Sequence, residues 1–245
     1  MKTRVVVVVA AIVASSAALA YRPPGRMLLQ KAMEKQIERG TRTIKVEAES
    51  QAFESGAAKG LPVAERMQFQ TPGSARREID LPEGTRTEIR VDDKLIVRVN
   101  GQADAKQKSP IDLLVDHVAT GPGLDEDRAV ERLLKDMKAL GVNPEVVTFA
   151  RWDGRVAYLI GSKAWETDKP QVWLDKDTLL PVRVVMLPKE GPVRRTDVRY
   201  LGWGSSIGGN WFPSTIEVWS DERLVRRSLV RSVERNVSFD ATTFK

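Results

Sequence analysis

The 245-residue chain carries 39 Lys and Arg against 33 Asp and Glu, a formal charge of +6, with one histidine and no cysteine. The lack of cysteine excludes disulfides, thiolate metal sites, cysteine nucleophiles and a lipid-modified N-terminal cysteine. Charges of both signs are mixed along the chain, with no basic stripe interleaved with aromatics, so no nucleic-acid partner is expected.

At the N-terminus, Lys2 and Arg4 precede an unbroken apolar run from Val5 to Ala14, and Ala18-Leu19-Ala20 offers a small-x-small cleavage site. These are the parts of a secretory signal, with Ala18 and Ala20 as the small residues that a signal peptidase reads. The run is short for a membrane span, which needs about 20 residues. The expectation is a signal over 1–20 and a single exported domain over 21–245. That domain is expected to be periplasmic, monomeric and not membrane-spanning.

The mature chain begins with a helix, Met27 to Arg39, whose Leu28, Leu29, Ala32, Met33 and Ile37 recur at helical spacing before Gly40 stops it. The period then changes to two. Ile44, Val46 and Ala48 alternate with charges, and Val63, Met67 and Phe69 follow suit before Thr71-Pro72-Gly73. Arg76 to Leu81, Arg86 to Val91 and Leu95 to Val99 read as further strands between turns. Ser109-Pro110 opens a helix over Ile111 to Ala119. Asp125-Glu126-Asp127 puts acid in the first turn of another, which ends at Leu140-Gly141. Strands return at Val146 to Trp152 and Arg155 to Ile160, joined by Asp153-Gly154, the strongest hairpin signal in the chain. Gln171 to Asp175, Val182 to Leu187, Arg194 to Trp203, Trp211 to Trp219 and Leu224 to Val233 continue the meander.

Many strands joined by short turns predict a mostly β fold with a helical lid, an α+β arrangement. The expected architecture is one strongly curved antiparallel sheet of ten or eleven strands. It forms an unclosed half-barrel covered by helices, with Leu28, Leu29, Met33, Ile37, Ile111 and Leu114 as lid residues.

Few residues point to catalysis. His117, the only histidine, sits near the end of an apolar helix, and no serine lies in a Gly-x-Ser-x-Gly elbow. Asp125-Glu126-Asp127 lacks the alternating spacing and distal glutamate of a calcium loop. The glycine-rich segment from Gly202 to Pro213 enters a strand, so no helix N-terminus faces a phosphate there. No catalytic residue, metal or cofactor is expected, and binding is favoured over enzymatic activity.

The segment "PQVWLDKDTLLPVRVVM", Pro170 to Met186, sets two apolar arms around a charged turn. Alternation assigns Val172, Leu174, Val182, Val184 and Met186 to the concave face, and Trp173 to the convex face beside Arg183 as a cation–π pair. Extended around the sheet, it places Met67, Phe69, Val97, Tyr158, Leu174, Val184, Met186, Ile216 and Val218 around one shared apolar space. Periodicity alone leaves open whether that space is a lined cavity or a filled core.

The stretches "VAYLIGS", "PQVWLDKDTLLPVRVVM" and "YLGWGSSIGGNWFPSTIEVW" resemble the outer-membrane lipoprotein-sorting (LolA-like) family. The likeness rests on a Trp-x-Asp-x-x-Thr-x-x-Pro hairpin (Trp173, Asp175, Thr178, Pro181) and a Trp-Phe-Pro strand entry (Trp211, Phe212, Pro213), and extends over most of residues 27–235. It implies a curved sheet with helices lidding an apolar cavity for lipoprotein acyl chains or other lipid. It also implies an inner-membrane releasing complex and an outer-membrane acceptor as partners. A stress-sensing, protein-binding module on the same fold is the alternative, although such relatives carry an added C-terminal domain for which no residues are expected after Lys245. Two features depart from the carrier pattern. The segment from Leu124 to Val147 is longer, and aromatic content is only 6%.

Overall fold

The computed structural model describes residues 23–53, 60–92, 94–104, 125–188 and 193–245. The expected signal segment with Ala18 and Ala20, and the helix carrying Ile111, Leu114 and His117, lie outside these residues.

Among the described residues, thirteen antiparallel strands form one open sheet, more than the ten or eleven expected. Chain order first lays down β1 (Thr43–Ala52), β2 (Leu61–Gln70), β3 (Ser74–Leu81), β4 (Gly84–Val91), β5 (Lys94–Val99) and β6 (Gln102–Ala103). A second run follows, with β7 (Val147–Trp152), β8 (Arg155–Ile160), β9 (Gln171–Asp175), β10 (Pro181–Met186), β11 (Thr196–Leu201), β12 (Thr215–Ser220) and β13 (Arg223–Arg235). Each run is a meander, and the two join where β1 pairs with β13. Two-residue β6 is too short to show alternation, so the sequence carries no signal for it.

Several hairpins turn on left-handed residues. Asp153 (φ 47°) and Gly154 (φ 76°) both take the conformation that a type I′ turn requires. Asp221 (φ 45°) and Glu222 (φ 69°) do the same between β12 and β13 without a glycine, and there the L side chains are strained.

Among the described residues, two helices pack on the concave face, α1 (Gly25–Glu38) and α2 (Glu126–Ala139). Asp125 caps α2 by accepting a hydrogen bond from the Asp127 amide at 3.0 Å, while Glu126 and Asp127 complement the positive end of the helix dipole. Leu28, Leu29 and Met33 of α1 and Val130, Leu133, Leu134 and Met137 of α2 are buried in the main core, with Ile44, Val46, Phe69, Ile160, Val172, Leu174 and Val184 of the sheet. Ion pairs tie the helices down: Arg26 to Glu131 at 2.6 Å, Arg90 to Asp136 at 3.0 Å, and Arg132 to Asp92 at 3.1 Å. No helix among the described residues is long and apolar enough to cross a membrane.

The strand expected from Trp211 starts later, at Thr215. Trp211 and Phe212 instead lie in the turns before it, where fully buried Phe212 packs 5.7 Å from the Phe69 ring. The Trp203 indole lies beyond the end of β11 and donates to the Pro181 carbonyl at 2.8 Å.

A candidate ligand cavity on the concave face

The register aligns side chains in rows across the concave face. Glu65, Ile79 and Arg86 form one row over β2–β4, and Met67, Arg77, Glu88 and Val97 form the next over β2–β5. Facing them, Val184, Val198, Val218 and Arg226 form a row over β10–β13, and Tyr200, Ile216, Ser228 and Ser50 form another over β11–β13 and β1. Between the two sets lies a cavity of about 330 Å³. This is within the size range of small-molecule pockets, roughly 300–1,000 Å³.

Met67, Ile79, Val184, Met186, Val198, Ile216, Val218 and Val225 make the cavity wall greasy, and Tyr200 adds a ring. Five charged residues line it as well: Glu65, Arg77, Arg86, Glu88 and Arg226. Glu65 is 1% exposed. Its Oε2 accepts from the Ser50 and Ser228 hydroxyls at 2.5 and 2.7 Å, and its Oε1 accepts from Arg77 Nε at 2.5 Å. Arg77 Nη1 lies 3.9 Å from Glu88, and Arg86 Nε donates to the other Glu88 oxygen at 2.8 Å. Burial alone would push the Glu65 carboxyl up. The Arg77 and Arg226 guanidiniums and the two serine hydroxyls outweigh it, and hold the pKa down at about 2. Glu65 is therefore ionised at neutral pH, inside a chain of alternating charges.

Of the nine residues assigned to one shared space, Met67, Val184, Met186, Ile216 and Val218 line this cavity. Phe69, Tyr158 and Leu174 belong instead to the core around the helices, and Val97 is buried next to Glu88 at the far end of its row. Leu174 meets Leu29, Ala32 and Met33 of α1 and Leu133 and Met137 of α2 around a residual space of only about 20 Å³. The expected lid residues Leu28, Leu29 and Met33 are buried in this packed region and Ile37 is half-buried, and none of the four lines the cavity. Val182 is a correction. It packs against the convex cluster of Ala157, Leu159 and Trp173, because a register shift between Pro181 and Arg183 breaks the alternation.

Alternation did not reveal the charged residues, although one signal was present. In Val63-Ala64-Glu65-Arg66-Met67-Gln68-Phe69, Glu65 occupies the apolar register. A carboxylate on the buried phase of a strand needs a partner, and Ser50 and Ser228, paired with each other across β1 and β13 in the row of Val63, reach Glu65 from the neighbouring row.

The convex face holds a second constellation. Arg183 stacks over Trp152 and Trp173, at 4.6 and 5.2 Å from their ring centroids, and pairs with Asp197 through two hydrogen bonds of 2.8 and 2.6 Å. Arg199 covers Trp219 at 4.2 Å and reaches the same carboxylate at 3.1 Å. Burial opposes ionisation of Asp197, yet the two guanidiniums hold its carboxyl below the usual range. This layer clads the back of the strands that carry the cavity wall.

The open, curved antiparallel sheet with helices packed on its concave face is a fold seen in other proteins. Solved structures share it. A LolA superfamily protein from Nitrosomonas europaea aligns over 91% of this chain and 98% of its own, with a TM-score of 0.51 at 13% identity. A DUF1329 family protein from Desulfovibrio piger aligns over 90% and 95%, with 0.55 at 15%. A domain assigned to outer membrane lipoprotein sorting, from Vibrio parahaemolyticus, aligns over 90% and 95%, with 0.56 at 10%. At these identities the likeness is one of fold. No protein-family model and no curated protein matches the chain.

Proposed function

We propose that the protein is a soluble periplasmic carrier or binder of lipid or lipoprotein acyl chains that works without covalent chemistry and delivers its cargo toward the outer membrane. One observation carries this reading: about 330 Å³ of space on the concave face, walled by eight apolar side chains, in a fold shared with lipoprotein-sorting proteins. Burial of acyl methylenes there contributes about 0.8 kcal/mol each. A chain of ten methylenes would gain about 8 kcal/mol before any ordering cost, which corresponds to roughly micromolar affinity. The signal-like N-terminus supports export, and a protein that crosses an aqueous compartment needs its cargo's chains shielded in this way.

Mass spectrometry of an organic extract of the protein, purified from its own cell envelope, tests the proposal. Stoichiometric acyl-bearing lipid is the expected result. A lipid-free protein that also fails to bind a fluorescent fatty-acyl probe overturns it.

A further inference from the structure

The cavity is not uniformly greasy, and its charged residues are arranged with a direction. The apolar wall of Val184, Met186, Val198, Ile216 and Val218 belongs to β10–β12, whereas the charges sit mainly opposite, on β2–β4. A ligand lying across the cavity therefore meets hydrocarbon on one side and guanidinium on the other. Such a surface selects an amphiphile over a plain hydrocarbon.

The sign of the head group follows from the guanidiniums. Arg77, Arg86 and Arg226 line the cavity against two carboxylates, Glu65 and Glu88. Glu65 is already committed to Arg77, Ser50 and Ser228. Arg86 is different. Its Nε holds Glu88 at 2.8 Å, and neither terminal amino group meets a protein acceptor among the described residues. The side chain is 17% exposed, so it is neither free in bulk water nor sealed in the core. Held by Glu88, the planar guanidinium presents fixed donors suited to the paired oxygens of a carboxylate or phosphate. Partial desolvation by the greasy wall strengthens any charge pairing made there.

The size of the space limits the tail. At about 30 Å³ for each water-sized group, 330 Å³ holds about eleven such groups, and a methylene is of that order. That is one acyl chain.

Resting on the lipid-binding reading of the same cavity, we propose that its ligand is a single-chain anionic amphiphile. Arg86 receives the carboxylate or phosphate head, and the chain lies along Val184, Met186, Val198, Ile216 and Val218. A fatty acid and a lysophosphatidic acid share this chemistry.

Titration calorimetry on the full protein with four probes tests it: palmitate, palmitoyl-lysophosphatidic acid, neutral monopalmitoyl glycerol, and inorganic phosphate alone. The two anionic lipids should bind at least tenfold more tightly than the neutral one, and phosphate alone should not bind measurably. The stronger of the two anionic lipids then distinguishes a carboxylate head from a phosphate head. Arg86→Gln should lower anionic-lipid affinity about tenfold and neutral-lipid affinity by much less. Arg86→Lys, which keeps the charge and loses the fork, guards against misfolding and should give an intermediate loss with an unaltered melt. Equal binding of neutral and anionic lipids, unaffected by Arg86→Gln, would overturn the head-group assignment while leaving lipid binding intact. Tight Arg86-dependent binding of phosphate alone would also overturn it, because the chain would then be irrelevant. No binding of any lipid would remove the broader reading with it.

Discussion

Two regions of one concave face, built from the same period-two alternation, end in opposite states. Across β8 and β9 the inward side chains include Ile160, Val172 and Leu174, and α1 and α2 press aliphatic side chains onto them until only about 20 Å³ remains beside Leu174. Across β2–β4 the inward rows contain Glu65, Arg77, Arg86 and Glu88, and a cavity of about 330 Å³ stays open. The cause is chemical. An ionised group cannot be packed under an aliphatic helix without a partner, so a charge on the inner register keeps space, polar neighbours or water around it. The charges mark where the sheet was left unfilled.

The sharpest way to break this comparison is to exchange the two chemistries. Leu174→Glu places an unpaired carboxylate in the helix-packed region, where nothing solvates it. It should unfold the domain or cost more than about 4 kcal/mol. Val198→Glu puts the same group on the half-buried wall of the cavity and should cost about 1–2 kcal/mol, leaving a β circular dichroism spectrum. Similar losses in the two melts would mean that the cavity side is as dry as the helix side. The next largest effect tests the charged chain. Glu65→Ala removes the buried carboxylate that Arg77 and the Ser50 and Ser228 hydroxyls engage, and should destabilise by about 3–5 kcal/mol in urea titration, the cost of removing one member of a buried pair. A change below about 1 kcal/mol would show that the guanidiniums relax into water.

Acid gives a gentler version of the same test. Glu65 has a folded pKa of about 2, below the ordinary carboxylate value, so its contribution is fully present above about pH 4.5 and is lost as pH falls toward 2. Asp197 on the convex face shifts in the same direction. Stability should therefore decline through this window, and in Glu65→Gln the decline should be shallower. An identical acid profile for the variant and the parent would show that Glu65 is not the group being protonated.

How much of this was legible follows from what alternation can encode. The hairpin at Asp153-Gly154, the cation–π pairing of Trp173 with Arg183, and a curved open sheet are local or periodic features, and each is visible in the chain. The division of the concave face is not, because it depends on which strands the helices cover, and that is set by contacts between residues far apart in the chain, such as Leu29 and Leu133 with Leu174. Leu174 and Val184 share a phase in the sequence, yet Leu174 meets α1 and α2 while Val184 borders the cavity. Val182 was lost to a register shift, which alternation cannot anticipate. Glu65 was readable in principle: it broke the apolar phase of β2, and a buried-phase carboxylate is more informative than another valine.

The smallest expected effect concerns whether the two regions are thermodynamically separate. Helix α2 belongs to the packed region, yet it is tied to the cavity side through Arg90 on β4, whose Nη2 lies 3.0 Å from Asp136, and through Arg132, 3.1 Å from Asp92 beyond the end of β4. Arg90 and Asp136 are each 16% exposed, between a surface pair worth a few tenths of a kcal/mol and a fully buried one. Asp136→Asn keeps the shape and removes the charge, and should cost about 1 kcal/mol. The continuous ladder of thirteen strands couples both regions regardless of the pair, so the variant should still melt in one transition when followed by circular dichroism and by tryptophan fluorescence. Two probes giving two midpoints would mean that the ion pair, and not the sheet, holds the helix-packed and cavity sides together. Ligand entry would then be a matter of partial unfolding of one side, and the cavity would no longer be a preformed space.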